Sequence, residues 1–215
     1  MKGLIINTTK DLPFFSTAML RSIVDTDYAT LRVTVSRMLK NGDLIALKRG
    51  MYVTREYFLR HSNDLKYPEF ISSVLRIPSY ISREYVLSKH GILTEATFGI
   101  TAVTLKTTIT YTNKLSTYSY KTITPKLFTG YEFETFEKNH YTVATKSKAL
   151  FDYLYYKSPS LANNMLTTHN MVEELRLNMD EFTNKELTEL KEYAGLIRSD
   201  KLNKLIDNII HHAHA

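Results

Sequence analysis

Apolar residues near the start of the chain recur at helical spacing. Met19, Leu20 and Ile23 share one side of a segment from 17 to about 24, and Ser16 is placed to cap its first turn. After the break Asp25-Thr26-Asp27, Asp27 is a cap for a second helix over residues 28–41. In that helix Tyr28, Leu31, Val35, Met38 and Leu39 fall on one stripe about 100° wide, which is predicted to face a core. Gly42 stands where a helix end wants a residue free to take positive φ. Two short apolar runs, 44–47 and 51–53, then flank Lys48-Arg49-Gly50, which has the chemistry of a tight hairpin turn. The predicted order is helix, short turn, helix, two-stranded ribbon. This is the order of a winged helix-turn-helix.

The pattern then changes twice. Residues 57–66 are polar and read as a linker, and Pro68 begins a new segment. A helix over 69–76 is stopped by Pro78, and Ser82 is predicted to cap another that ends at His90-Gly91. From 98 to 144 Thr, Tyr, Val, Ile and Phe dominate, and strands are predicted at 99–106, 108–112, 117–123, 131–136 and 140–144. Thr145 is a cap for a helix over 146–157 with Ala149, Leu150, Tyr153 and Leu154 on its apolar face. Three further helices are predicted in the tail, the last over 199–211. The predicted fold class is α+β. A winged helix-turn-helix domain spans 1–66. A mixed α/β domain with a mostly antiparallel sheet and a helical C-terminal tail spans 67–215.

Composition narrows the function classes. With 215 residues, 43% hydrophobic and 23% charged, the chain has the make-up of one or two ordinary globular domains, which excludes a disordered or collagen-like protein. It has no cysteine, which excludes a disulfide scaffold, a thiolate zinc site and a cysteine nucleophile. The apolar part of the start, 1–7, is too short for a signal peptide, and the uncharged stretch 96–105 is broken by Thr and Gly. A cytoplasmic protein with no membrane partner is therefore expected. Charge is uneven along the chain. Residues 1–66 carry 11 basic and 6 acidic side chains, 67–148 carry 10 and 6, and 149–215 carry 7 and 10. A basic front and an acidic rear suggest an anionic partner at the front.

Away from its apolar stripe, the helix over 28–41 presents Ala29, Thr30, Val33, Ser36, Arg37 and Lys40, with Arg32 at the margin. Small residues let a helix approach base edges closely. Arg forks onto guanine, Thr and Ser serve either base type, and Val can pack on a thymine methyl. Lys48 and Arg49 at the ribbon tip are placed to reach phosphates or a minor groove. The expected DNA-binding set is Thr30, Arg32, Val33, Ser36, Arg37, Lys40, Lys48 and Arg49. The competing reading of the same residues is a solvated basic helix.

The segment Ser36-Arg37-Met38-Leu39-Lys40-Asn41-Gly42-Asp43-Leu44-Ile45-Ala46-Leu47-Lys48-Arg49-Gly50-Met51-Tyr52-Val53 resembles the winged helix of the AbiEi family. These are antitoxins of type IV, abortive-infection toxin–antitoxin systems in bacteria. Two later segments are similar to family helices: Tyr80-Ile81-Ser82 through His90-Gly91-Ile92, and Lys148-Ala149-Leu150-Phe151-Asp152. The similarity runs in order over residues 12–157, and the rest matches loosely. It departs at Arg83-Glu84-Tyr85, where the family has small residues. The resemblance implies a front that binds the operon's own promoter as double-stranded DNA and represses it. It implies a rear that counteracts a cognate nucleotidyltransferase toxin without direct contact.

Other residues of the chain offer different chemistry. The tail His211-His212-Ala213-His214 reads as a frayed helix end rather than a metal site. Lys148 and Asp152, at i,i+4 spacing, read as a surface ion pair worth about 0.3–0.5 kcal/mol. Glu132 and Glu134 share a strand face near Glu137, as a metal-dependent nuclease needs, but the Glu-x-Lys pattern is missing. No Gly-rich phosphate loop is present. Tyr111, Tyr118, Tyr120, Tyr131 and Tyr141 offer either a base-stacking platform or half-buried strand packing. The expectation is no cofactor, no metal and no enzymatic activity. The alternatives are a winged-helix regulator of a mobile element without a toxin, and a nucleic-acid-processing enzyme built from the rear.

Overall fold

The computed structural model of the chain describes residues 1–95 and 97–213, so His214 of the expected tail cluster and Ala96 of the 96–105 stretch lie outside the described residues. The chain opens with α1 (Lys2–Thr9), which the pattern does not predict because only Ile5 and Thr9 of it are buried. It continues through β1 (Phe15–Ser16), α2 (Thr17–Ile23) and α3 (Tyr28–Lys40). Both α2 and α3 start at the expected caps. Ser16 accepts from the Met19 N–H, and Asp27 accepts from the Thr30 N–H. Gly42, at φ 74, closes α3 by donating to the Leu39 carbonyl.

β2 (Leu44–Lys48) and β3 (Met51–Thr54) form the antiparallel ribbon, with Gly50 at φ 77 in its turn. β1 pairs with the free side of β3, so the small sheet has the order β1-β3-β2. Thr54 then caps α4 (Arg55–Arg60), which places a helix in the stretch expected as a linker. The signal for it was weak because only Tyr57 of this short helix is buried.

The small sheet serves two cores. Ile5, Phe15, Leu20, Leu31, Val35 and Met38 pack together with Leu44. Ile45, Leu47 and Val53 of the same ribbon, with Tyr57, join the larger core instead. Hydrogen bonds also cross residue 66: Tyr67 Oη donates to the Pro13 carbonyl at 2.8 Å, and Asn113 Nδ2 to the Leu47 carbonyl at 2.9 Å.

The larger core lies under a six-stranded mixed sheet. Its elements are α5 (Lys66–Leu75), β4 (Ser79–Ile81), α6 (Glu84–Lys89), β5 (Ile100–Thr104), β6 (Ile109–Thr112), β7 (Thr117–Thr122), β8 (Tyr131–Phe136) and β9 (Asn139–Ala144). Strand order is β6-β7-β5-β4-β9-β8. Pairs β4–β5, β6–β7 and β8–β9 are antiparallel, and β4–β9 and β5–β7 are parallel. The five strands expected from composition are all strands. The central β4 is an addition, since three residues are too few to show an alternating pattern.

The chain ends with α7 (Lys146–Lys157), α8 (Met165–Thr168), α9 (Met171–Glu174), α10 (Asn184–Gly195) and α11 (Asp200–His212). Thr145 caps α7 and Ser199 caps α11, as expected. Among its described residues the tail thus holds two single-turn helices and two long ones in place of the three helices expected.

Four local expectations are corrected. Met19 and Tyr28 face outward rather than into the core. Ser82 does not cap α6; the cap position is Arg83, at φ 65, while Ser82 Oγ donates to Asp152 Oδ2 at 2.7 Å. Lys148 and Asp152 are not at the surface: both side chains are 0% exposed. α7 touches α6, α10, α11 and β9, so it is covered on several sides, and its polar residues are enclosed with its apolar ones.

Candidate nucleic-acid interface

The core side of α3 is set by Leu31, Val35 and Met38, all buried. That packing turns Ala29, Thr30, Arg32, Val33, Ser36, Arg37 and Lys40 to the outside. Val33 is 49% exposed at the centre of this face. A shallow concavity of about 430 Å³ lies over it, lined by Ala29, Arg32, Val33, Ser36 and Arg37. The structure therefore brings together four of the eight residues expected to contact DNA, Arg32, Val33, Ser36 and Arg37, on one helix face, with Lys40 further along the same helix. Thr30 is also exposed but is occupied at the cap. Its hydroxyl, then its backbone N–H, bonds Asp27 and holds that carboxyl below the usual carboxylate range.

A second groove, of about 340 Å³, separates α3 from the ribbon turn. Tyr28, Arg32 and Ser36 line the helix side, Arg49 and Gly50 the turn side, and Tyr52 lines it too. Tyr28 is 51% exposed, and two guanidinium groups lie over its ring, Arg21 at 5.4 Å and Arg32 at 5.8 Å from the ring centre. Neither Tyr28 nor Arg21 is in the set expected from sequence, yet Tyr28 lines this groove and Arg21 stands over its ring. The apolar stripe places Tyr28 toward the core, but at the first helical position no preceding turn exists for it to pack on. The i,i+4 spacing of Tyr28 and Arg32 was the available signal.

The two cations of the turn diverge. Arg49 is exposed beside the groove. Lys48 instead reaches the rear of the molecule, donating from Nζ to the Leu75 carbonyl at 2.6 Å. Among the described residues, Arg21, Arg32, Arg37, Lys40 and Arg49 form no salt bridge. An uncompensated cationic face next to small and apolar side chains suits an anionic polymer with readable edges. Gly50 orients the turn. Gly50→Val is expected to strain a backbone at φ 77 and displace Arg49. Thermal melting and DNA affinity should both fall; if neither changes, the turn tolerates a side chain at this φ.

The other candidates resolve into packing. Tyr118, Tyr120 and Tyr141 are buried, so they offer no stacking platform. Glu134 pairs with Lys66 at 3.4 Å, and Glu137 accepts from Tyr57 Oη at 2.8 Å and lies 3.5 Å from His61 Nε2. Among the described residues no group of three or more His, Asp or Glu side chains is arranged to hold a metal ion. His212 Nδ1 lies 2.8 Å from the Asn208 carbonyl, within α11.

Lys148 and Asp152 form a buried polar centre. Lys148 Nζ bonds Asp152 Oδ1, and Tyr80 Oη and Ser82 Oγ donate to Asp152 Oδ2 at 2.9 and 2.7 Å. The ammonium also faces the rings of Tyr80, Phe151 and Tyr193. Burial pushes the Lys148 ammonium down and the Asp152 carboxyl up, and the attraction between them opposes both shifts. With every partner internal, this centre ties β4 to α7.

Among the described residues no helix is long and apolar enough to cross a membrane. In comparisons with known proteins, no family model and no curated sequence matches the chain.

Proposed function

We propose that this chain is a duplex-DNA-binding transcriptional repressor and antitoxin of the AbiEi kind. In this reading α2, α3 and the β2–β3 ribbon act as a winged helix-turn-helix. α3 enters the major groove, and Arg49 lies on the backbone or in the minor groove beside it. Arg37 forks onto a base, Ser36 and Val33 refine the choice, and Arg21, Arg32 and Lys40 neutralise phosphates. The supporting observation is the face of α3: small and apolar side chains flanked by cations that have no carboxylate partner among the described residues.

The antitoxin half rests on the resemblance alone and is tested separately. This reading requires a nucleotidyltransferase toxin encoded beside the gene, and that toxin, expressed from an unrelated promoter, should stop growth. Co-expression of the full chain should restore it. The doubly substituted chain Arg37→Ala/Arg49→Ala, no longer a repressor, should restore growth equally, because repression plays no part under a foreign promoter. Failure of the native chain to protect would remove the antitoxin assignment and leave the repressor.

A further inference from the structure

A second group of cations lies behind the ribbon turn. Lys48 Nζ donates to the Leu75 carbonyl and sits 5.8 Å from the centre of the Tyr111 ring. The next residue, Arg76, donates from Nη2 to both the carbonyl and the hydroxyl of Thr107, each at 2.7 Å. Lys106 precedes Thr107 in the chain and is exposed. These contacts gather three cations from β2, the end of α5 and the β5–β6 connection. Among the described residues none of the three has a carboxylate partner.

The arrangement works against the fold. Burial first, then the charges of Arg76 and Lys106, hold the Lys48 ammonium below its ordinary range. Arg76 Nε is buried with no hydrogen-bond partner. Like charges held together without a counter-charge are destabilising unless an anion from outside neutralises them. Donors remain for one. Lys48 uses one of its three N–H groups, Arg76 uses only Nη2, and the exposed Thr107 hydroxyl accepts from Arg76 with its own proton left over.

We propose that Lys48, Arg76 and Lys106 form a second phosphate-binding patch, which carries the backbone of bound duplex DNA past the ribbon turn onto the β6 side of the rear sheet. This rests on the DNA-binding reading above. Continuity selects DNA as the occupant: Lys48 and Arg49 are adjacent in the turn, one joined to the rear patch and the other lining the groove against α3. The patch lengthens the footprint and couples the rear of the chain to the DNA-reading front.

Fluorescence anisotropy with random-sequence duplexes of about one and about three helical turns, ~10 and ~30 base pairs, tests it. Lys106→Gln removes an exposed side chain with no internal contact, and Lys126→Gln is a charge-matched control elsewhere on the rear. Lys106→Gln should make the salt dependence of the longer duplex shallower by about 0.9 in log–log slope. That is a loss of roughly fivefold at 0.15 M relative to 1 M salt. The shorter duplex should bind unchanged, Lys126→Gln should behave as the native chain, and the Lys106→Gln melting temperature should equal or exceed the native value.

The patch is overturned if Lys106→Gln binds the longer duplex like the native chain, or weakens both lengths alike, while Arg49→Ala still weakens both. In that event the DNA reading stands without it. If the native chain binds neither duplex, both fall. If Lys106→Gln instead abolishes a self-association seen without DNA, the patch is a contact with the acidic rear of a second copy.

Discussion

Asp152→Ala will destabilise the chain by about 3–5 kcal/mol, the cost of leaving a buried charge without its partner. Three donors converge on this carboxylate: the Lys148 ammonium, the Tyr80 hydroxyl and the Ser82 hydroxyl. Removing it leaves all three enclosed with no acceptor, and Lys148 then loses its proton or draws water inward. Lys148→Met should cost less than Asp152→Ala, because the two hydroxyls still donate to Asp152 and the apolar stem of Lys148 is replaced. Urea denaturation of the three proteins measures the order. A loss under about 1 kcal/mol for Asp152→Ala would show a solvated pair of the kind that i,i+4 spacing normally gives.

The second large effect is on DNA. The full chain is expected to bind duplex DNA with an affinity that falls steeply with salt, losing about 0.9 in log–log slope for each phosphate contact removed. Arg37→Ala should cost about 1–3 kcal/mol on the specific site and relax preference at one position, since a forked contact to a base edge is lost. Arg49→Ala and Arg21→Ala should weaken specific and random DNA by the same factor, because phosphate carries no sequence information. Val33→Ser should reduce preference at a single thymine. Competition binding against random duplex at several salt concentrations separates these classes. Equal weakening of specific and random DNA by Arg37→Ala would move Arg37 to the backbone. An affinity independent of salt would remove the interface.

The caps show what is local. Ser16, Asp27, Thr145 and Ser199 each accept a hydrogen bond from a backbone N–H within the next turn, so residue type and immediate context decide the helix start. Ser82 looks the same in sequence and does otherwise: its side chain is turned to the Asp152 carboxylate, 70 residues away, to which it donates. The helix start passes to Arg83 at positive φ, a position that Gly would take without strain.

Periodicity told which side of α3 is buried at Leu31, Val35 and Met38, and so which side is free. It erred at the ends of elements: Tyr28 has no turn before it, and Met19 lies beyond the reach of the small core. The candidate interface was legible for Arg32, Val33, Ser36, Arg37, Lys40 and Arg49, because exposure on an amphipathic helix and in a hairpin turn is a local property. Lys48 was not legible. Its direction depends on the Leu75 carbonyl at the end of α5, which comes within reach only when the ribbon packs beside β6.

The amino-acid sequence by itself determined the longer helices, the strands of the rear sheet other than β4, the ribbon turn and the free basic face of α3. Each follows from capping, spacing or turn chemistry acting within a few residues. Only the tertiary structure decided the central place of β4, the sharing of the ribbon between two cores and the burial of Lys148 with Asp152. A three-residue strand carries no readable period. A charged i,i+4 pair reads the same in solvent as in a core until α6, α10, α11 and β9 close around it.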